Sequence, residues 1–162
     1  MNSNHMPRKP GRACWRQGLV LCTVLLASPG ALAQFSMVPA PQVQGAPRPS
    51  AAEVETEYRI DAARHVYAAY GTRVYRGKMP PLLYGIMMVE TELDATGQVV
   101  NISVIRKPAA DEVAPWVLAM VKRAAPYPAP AALPGATVRF TETWFVHRSG
   151  NFQLFSLTEG QH

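Results

Sequence analysis

Two runs of alternating apolar and polar residues, joined by Asp94-Ala95-Thr96-Gly97, constrain this chain more than any other feature. Side chains on a strand alternate between faces with a period of two, so such a run does not settle as a helix. From Leu82 to Leu93, Tyr84, Ile86 and Met88, then Glu90 and Glu92, share one face. Met87, Val89, Thr91 and Leu93 share the other. From Gln98 to Arg106, Val100, Ile102 and Val104 fall together. Gly97 supplies the positive φ that a tight connection needs. The two runs read as an antiparallel hairpin, more apolar on one face and therefore covered there.

A third alternating strand is predicted over Thr137 to His147. Val138, Phe140, Trp144 and Val146 share its apolar face, interrupted by Glu142. Arg139, Thr141 and Thr143 share the polar face together with Phe145. Arg148-Ser149-Gly150-Asn151 makes a turn, and Phe152 to Leu157 reads as a fourth, shorter strand.

Two helices accompany these strands. Ser50 and Glu53 have the spacing of a capping box, which predicts a helix from Ala51 to Tyr70, ended by Gly71. Ile60, Ala63, Tyr67 and Tyr70 form its expected packing stripe, and His65 has a surface or packing role. A short extended lead-in follows over Thr72 to Arg76. Asp111 is the expected cap of the second helix, in which Val113, Trp116, Val117, Met120 and Val121 repeat at i, i+3, i+4, i+7, i+8. Pro126, Pro128 and Pro130 stop it. The fold class is therefore α+β: a small antiparallel sheet built as hairpin, helix, strand and extra C-terminal strand. One helix packs on a face, and an N-terminal helix is added.

The first 33 residues carry a different message. Arg8, Lys9, Arg12 and Arg16 make a basic start, and Gly18 to Ser28 is an apolar run of about 11 residues, against the ~20 that span a bilayer. Ala31-Leu32-Ala33 places small residues where a signal peptidase reads, so cleavage is expected between Ala33 and Gln34. This predicts an exported chain in a bacterial periplasm; the alternative is an anchor retained in the inner membrane. Without the leader, twelve of the sixteen bases face all eleven acids. That near-neutral balance excludes a polybasic nucleic-acid binder. Cys14 and Cys22 both lie in the leader, so the remainder has no thiol for a disulfide, a nucleophile or a metal. Residues 34–50, with prolines at 39, 41, 47 and 49, are expected to be an extended, unpacked, flexible spacer. Its proline-containing part, Val38 to Ser50, has about 13 residues and at ~3.1 Å each reaches about 40 Å.

Nothing in the sequence points to a catalyst. His65, His147 and His162 sit in no recognisable constellation, and no nucleophile elbow, zinc-binding helix or phosphate-binding loop occurs. Glu90 and Glu92 read as charges on a solvated strand face. A catalytic reading would need His147 and Glu142 to converge in a pocket. No cofactor or metal is implied.

The combination becomes specific in order. Y-G-I-M-M-V-E-T-E-L-D-A-T-G-Q-V-V-N-I-S-V-I runs from Tyr84 to Ile105. A helix follows, closed by A-P-Y-P-A-P, and then the strand A-T-V-R-F-T-E-T-W-F-V. This resembles the C-terminal domain of the TonB family of energy transducers and, more distantly, that of TolA, over about Met79 to His147. The resemblance implies a sheet ordered second, first, third strand with the helix across one face. It also implies partners that add an extended segment of an outer-membrane receptor to a sheet edge.

On this reading residues 51–78 form the helix and lead-in, and 79–162 the TonB-like domain. A cleavable leader whose apolar run has no histidine, a short arm and a fourth strand over the usual receiving edge all point away from energy transduction. They point toward a periplasmic adaptor that binds a receptor or secretion component by strand addition. A cell-wall-associated or self-associating structural protein, contacting peptidoglycan or forming a homodimer, is the alternative. Arg139, Thr141, Thr143, Gln153 and Phe155 are the candidate partner-facing residues.

Overall fold

A computed structural model describes residues 33–42 and 45–158. The elements are α1 (Ala33–Ser36), α2 (Glu55–Ala69), β1 (Gly85–Asp94), β2 (Val99–Arg106), α3 (Val113–Arg123), β3 (Thr137–Val146) and β4 (Phe152–Leu154). Single 3-10 turns lie at Gly71–Arg73 and Phe155–Leu157. The strands form one antiparallel sheet in the order β2-β1-β3-β4. The architecture is α+β with helices packed on one face of the sheet.

The period of two decides which face is covered. Met87, Val89, Thr91 and Leu93 of β1 are buried, as are Val138, Phe140, Glu142, Trp144 and Val146 of β3. α3 lays Val113, Trp116, Val117, Met120 and Val121 against them, the full stripe read from the sequence. α2 covers the β3–β4 side through Tyr58, Ala62, Ala63, Val66 and Ala69. Of the expected stripe Ala63 and Tyr70 are buried, whereas Ile60 and Tyr67 are only half-buried and Tyr58, Ala62, Val66 and Ala69 take the contact.

Tyrosines stitch the helices together. Tyr70 Oη donates to Met120 O (2.9 Å), Tyr58 Oη to Pro128 O (2.6 Å) and Tyr127 Oη to Val121 O (3.2 Å). Burial pushes the Tyr70 phenol up to about 12 and raises those of Tyr58 and Tyr127 further, so all three remain donors. His65 Nε2 bonds Ala124 O at 2.7 Å and its ring leans on Tyr127, a packing role.

Several local expectations are corrected. The capping box does not form. The Ser50 hydroxyl donates to Asp61 Oδ2 (2.7 Å) and accepts from Ala52 N–H, while Ser50 N–H donates to Ala129 O; α2 starts only at Glu55. Asp111 does not cap α3. Glu112 occupies that position and accepts from the Tyr84 hydroxyl instead. The fourth strand ends at Leu154, because residues 155–157 turn into a 3-10 helix. The lead-in is a 3-10 turn before it becomes extended at Val74.

Where it is described, the segment expected to be an unpacked spacer is packed, and it opens on the single turn α1. Phe35 is buried, stacked on Tyr84 (centroids 5.3 Å) and edge-on to Trp116 (5.3 Å). Further along, Arg123 Nη1 donates to Val38 O at 2.9 Å and Gln42 N–H to Ala69 O at 2.7 Å. The unpacked spacer is thus replaced by a strap across α3 and α2. The expected cleavage bond, Ala33–Gln34, falls in α1; the basic and apolar parts of the leader lie outside the described residues. Among the described residues no helix is long and apolar enough to cross a membrane.

Candidate functional site

A sheet edge carries unpaired main-chain groups, so the first question is what each edge of this sheet already bonds. At β4 the groups are taken. Tyr75 N–H donates to Phe152 O (2.8 Å), the Tyr67 hydroxyl accepts from Leu154 N–H (3.0 Å), and Val74 bridges Phe152 in parallel. Gln153 adds a side-chain clasp, its Nε2 donating to Tyr75 O (2.9 Å) and Gly77 O (2.7 Å). Just past β4, the outer edge of β3 is closed by one of its own side chains. Glu142 Oε1 accepts from Thr143 N–H (2.9 Å) and from Ser156 N–H (3.3 Å).

β2 is the opposite case. Among the described residues, no main-chain group outside β1 pairs with it. Ladder parity says which of its groups point away. Asp94 N–H donates to Gln98 O, so even-numbered residues of β1 bond toward β2 and odd-numbered ones toward β3. Thr91 and Val89 are odd, and they oppose Ile102 and Val104. The N–H and C=O of Ile102 and Val104 therefore face outward.

Two register shifts shape this edge. Glu92 opposes Asn101 but Leu93 opposes Val99, so Val100 is an extra residue; likewise Val89 opposes Val104 but Met88 opposes Arg106, leaving Ile105 extra. Each is a β-bulge. Val99, Ile102 and Val104 pack on the core, whereas Val100 and Ile105 are 58% and 55% exposed. The expected grouping of Val100 with Ile102 and Val104 is corrected accordingly. Beside the edge runs a groove of about 500 Å³, bounded by Gln98 and residues 99–102 of β2, by Leu118 and Lys122 of α3, and by Ala125 just after that helix.

The β1–β2 turn holds this groove in place. Asp94 Oδ1 accepts from Thr96 Oγ1 (2.6 Å), Thr96 N–H (2.8 Å) and Gln98 N–H (3.0 Å), and these bonds pull its carboxyl below the usual range. Gly97, at φ +83, lies on the Tyr127 peptide, whose N–H donates to Gly97 O at 2.8 Å.

The candidate residues named from the sequence are distributed differently. Arg139, Thr141 and Thr143 form one row on the uncovered sheet face, opposite Glu92, Glu90 and Met88. Arg139 is engaged there by Glu92 (3.0 Å) and Glu90 (3.8 Å). Gln153 is spent on the 75–77 clasp. Phe155 is 56% exposed and tilts toward Phe145, with centroids 6.4 Å apart. The row and Phe155 thus belong to the open face, and none of the five lies on the unpaired edge.

His147 and Glu142 do not converge. His147 Nδ1 contacts Ser149 Oγ at 2.8 Å and its ring meets Tyr75. Glu142 borders a small cavity of about 10 Å³ among Thr91, Phe140, Trp144 and Leu154. Burial raises its carboxyl pKa against the hydrogen bonds from Ser156 and Thr143. Among the described residues no three His, Cys, Asp or Glu side chains cluster as a metal site.

No protein-family model, curated protein or solved structure matches this chain. The geometry of the edge therefore carries the functional argument by itself. Sequence reasoning missed the bulges, although a signal for them exists. Val99-Val100 and Val104-Ile105 are apolar doublets, and each marks the place where the alternation slips.

Proposed function

We propose that this chain is an exported, periplasmic, TonB-like adaptor that binds an extended segment of an envelope protein by strand addition, without catalysis. The receiving edge is β2. One observation supports the reading: Ile102 and Val104 present main-chain donors and acceptors at an edge that no other main-chain group among the described residues bonds, while the β4 edge is clasped. An added strand satisfies those groups, and its alternate side chains reach the α3 groove on one side and the open sheet face on the other.

The test is residue-resolved amide exchange on the full chain, with and without peptides drawn from periplasm-facing segments of outer-membrane receptors. Slowing at Ile102 and Val104, with Asn101 and Ser103 unchanged, is the expected result. If no such peptide slows those two amides, strand addition at β2 is wrong.

A further inference from the structure

The rim of the β2 edge carries a charge that no ion pair among the described residues neutralises. Arg106 and Lys107 end the strand, and Lys122 stands in the groove at its other end. Among the described residues, no ion pair engages any of the three. Of the acids on the neighbouring elements, Glu90 and Glu92 pair with Arg139, one strand inward, Glu112 accepts from Tyr84, and Asp94 holds Thr96 and Gln98 in the turn. Neither residues 98–107 nor α3 contains an acid. Between the bases Val100 and Leu118 of the groove and the exposed Ile105 offer apolar contacts, alongside the polar Asn101 and Ser103. From Val100 to Arg106 the strand covers roughly 20 Å at ~3.3 Å per residue.

We infer that the occupant of the β2–α3 groove is an extended protein segment with apolar residues in the middle and carboxylates at both ends. Its middle rests on Leu118 and Val100. One acidic end meets Lys122, and the other meets Arg106 and Lys107. The inference rests on the strand-addition reading above and adds the chemistry of the partner. Exposed ion pairs each contribute little, yet two or three acting together amount to roughly a tenfold preference in affinity at low salt.

The experiment uses the full chain and three capped octapeptides that share a Val-Thr-Val-Thr centre. Their flanks are paired aspartates, paired serines or paired lysines. Affinity is read by fluorescence anisotropy, and the site is read by amide exchange at Ile102 and Val104. The aspartate peptide should bind about ten times more tightly than the lysine peptide, and the gap should close at about 0.5 M salt as screening shortens the reach of the charges. The double variant Arg106→Glu/Lys122→Glu changes two exposed side chains and should keep the parent's thermal midpoint while reversing the preference. Equal binding of all three peptides, with the two amides protected, overturns the acidic partner and leaves strand addition standing. Failure of every peptide to protect them overturns both. A dimer whose Ile102 and Val104 amides are already protected without peptide overturns the inference in favour of a second copy.

Discussion

Replacing Gly97 by alanine isolates the contact that holds the β1–β2 turn on the body of the domain. Two costs add. The backbone sits at φ +83, which a residue with a Cβ adopts at about 1 kcal/mol or somewhat more. The new methyl would also stand 2.0 Å from Tyr127 O and 2.9 Å from its carbonyl carbon, and both are main-chain atoms that cannot rotate away. The turn must retreat by more than an ångström, which breaks the 2.8 Å bond from Tyr127 N–H to Gly97 O and leaves a donor in the interior. That loss is about 1–3 kcal/mol. The total is about 2–4 kcal/mol, and with an ordinary urea dependence the midpoint should fall by about 1.5 M. Gly77→Ala is the control, because Gly77 has nearly the same φ, +79, and nothing within 4 Å of a Cβ. It should lose only about 1 kcal/mol. Urea unfolding followed by tryptophan fluorescence measures both. Equal losses for the two variants would refute the argument from the Tyr127 contact.

Three further outcomes follow from the same contacts. Phe35→Ala should lower the unfolding free energy by about 3 kcal/mol, near the low end for a buried phenylalanine; an unchanged urea midpoint would mean the arm does not pack. Burial holds the folded-state pKa of Glu142 above its unfolded value, so its neutral form favours the fold. Stability should therefore fall as pH rises from below the ordinary glutamate range through the folded pKa, and Glu142→Gln should flatten that slope in unfolding curves taken across pH. Asp94 has the opposite sign: its folded pKa is depressed, so its contribution is present above the ordinary aspartate range and fades as pH falls through the folded value. Asp94→Asn should remove that acid-side dependence, and an unaltered acid limb would show that the turn bonds do not depend on the charge.

How much of this was legible in the sequence divides along a physical line. β1, β3 and α3 are readable because each buries one face against a single large core, which leaves a clean period of 2 or 3.6 in Met87 to Leu93, Val138 to Val146 and Val113 to Val121. The arm is not readable. Phe35 is one aromatic among prolines and small residues, and its burial depends on Tyr84 and Trp116, distant in sequence. Ser50 and Glu53 have the spacing of a cap, but Ser50 meets Asp61 and Ala129 first, and a tertiary pairing overrides the local one. The closed edge at β4 follows from Gln153 reaching main-chain oxygens more than seventy residues earlier, a partnership with no local signature.

The bulges at Val100 and Ile105 and the charges at Arg106 and Lys107 are devices by which a sheet edge resists indiscriminate pairing. On the proposed strand-addition reading, they also limit what a partner can gain. Between the bulges only Ile102 and Val104 turn their main chain outward, so an added strand forms about four hydrogen bonds there. At a net ~0.5–1.5 kcal/mol each, these yield roughly 2–6 kcal/mol. Association itself costs about 4–15 kcal/mol in lost freedom. Main-chain bonding on this edge thus sets the register of the guest without holding it. The difference must come from Leu118, Val100 and Ile105 and from the three bases around them. The same residues that deter a random strand are then the ones that select the right one, and affinity should respond more steeply to salt and to charge reversal than to any change in the guest's backbone.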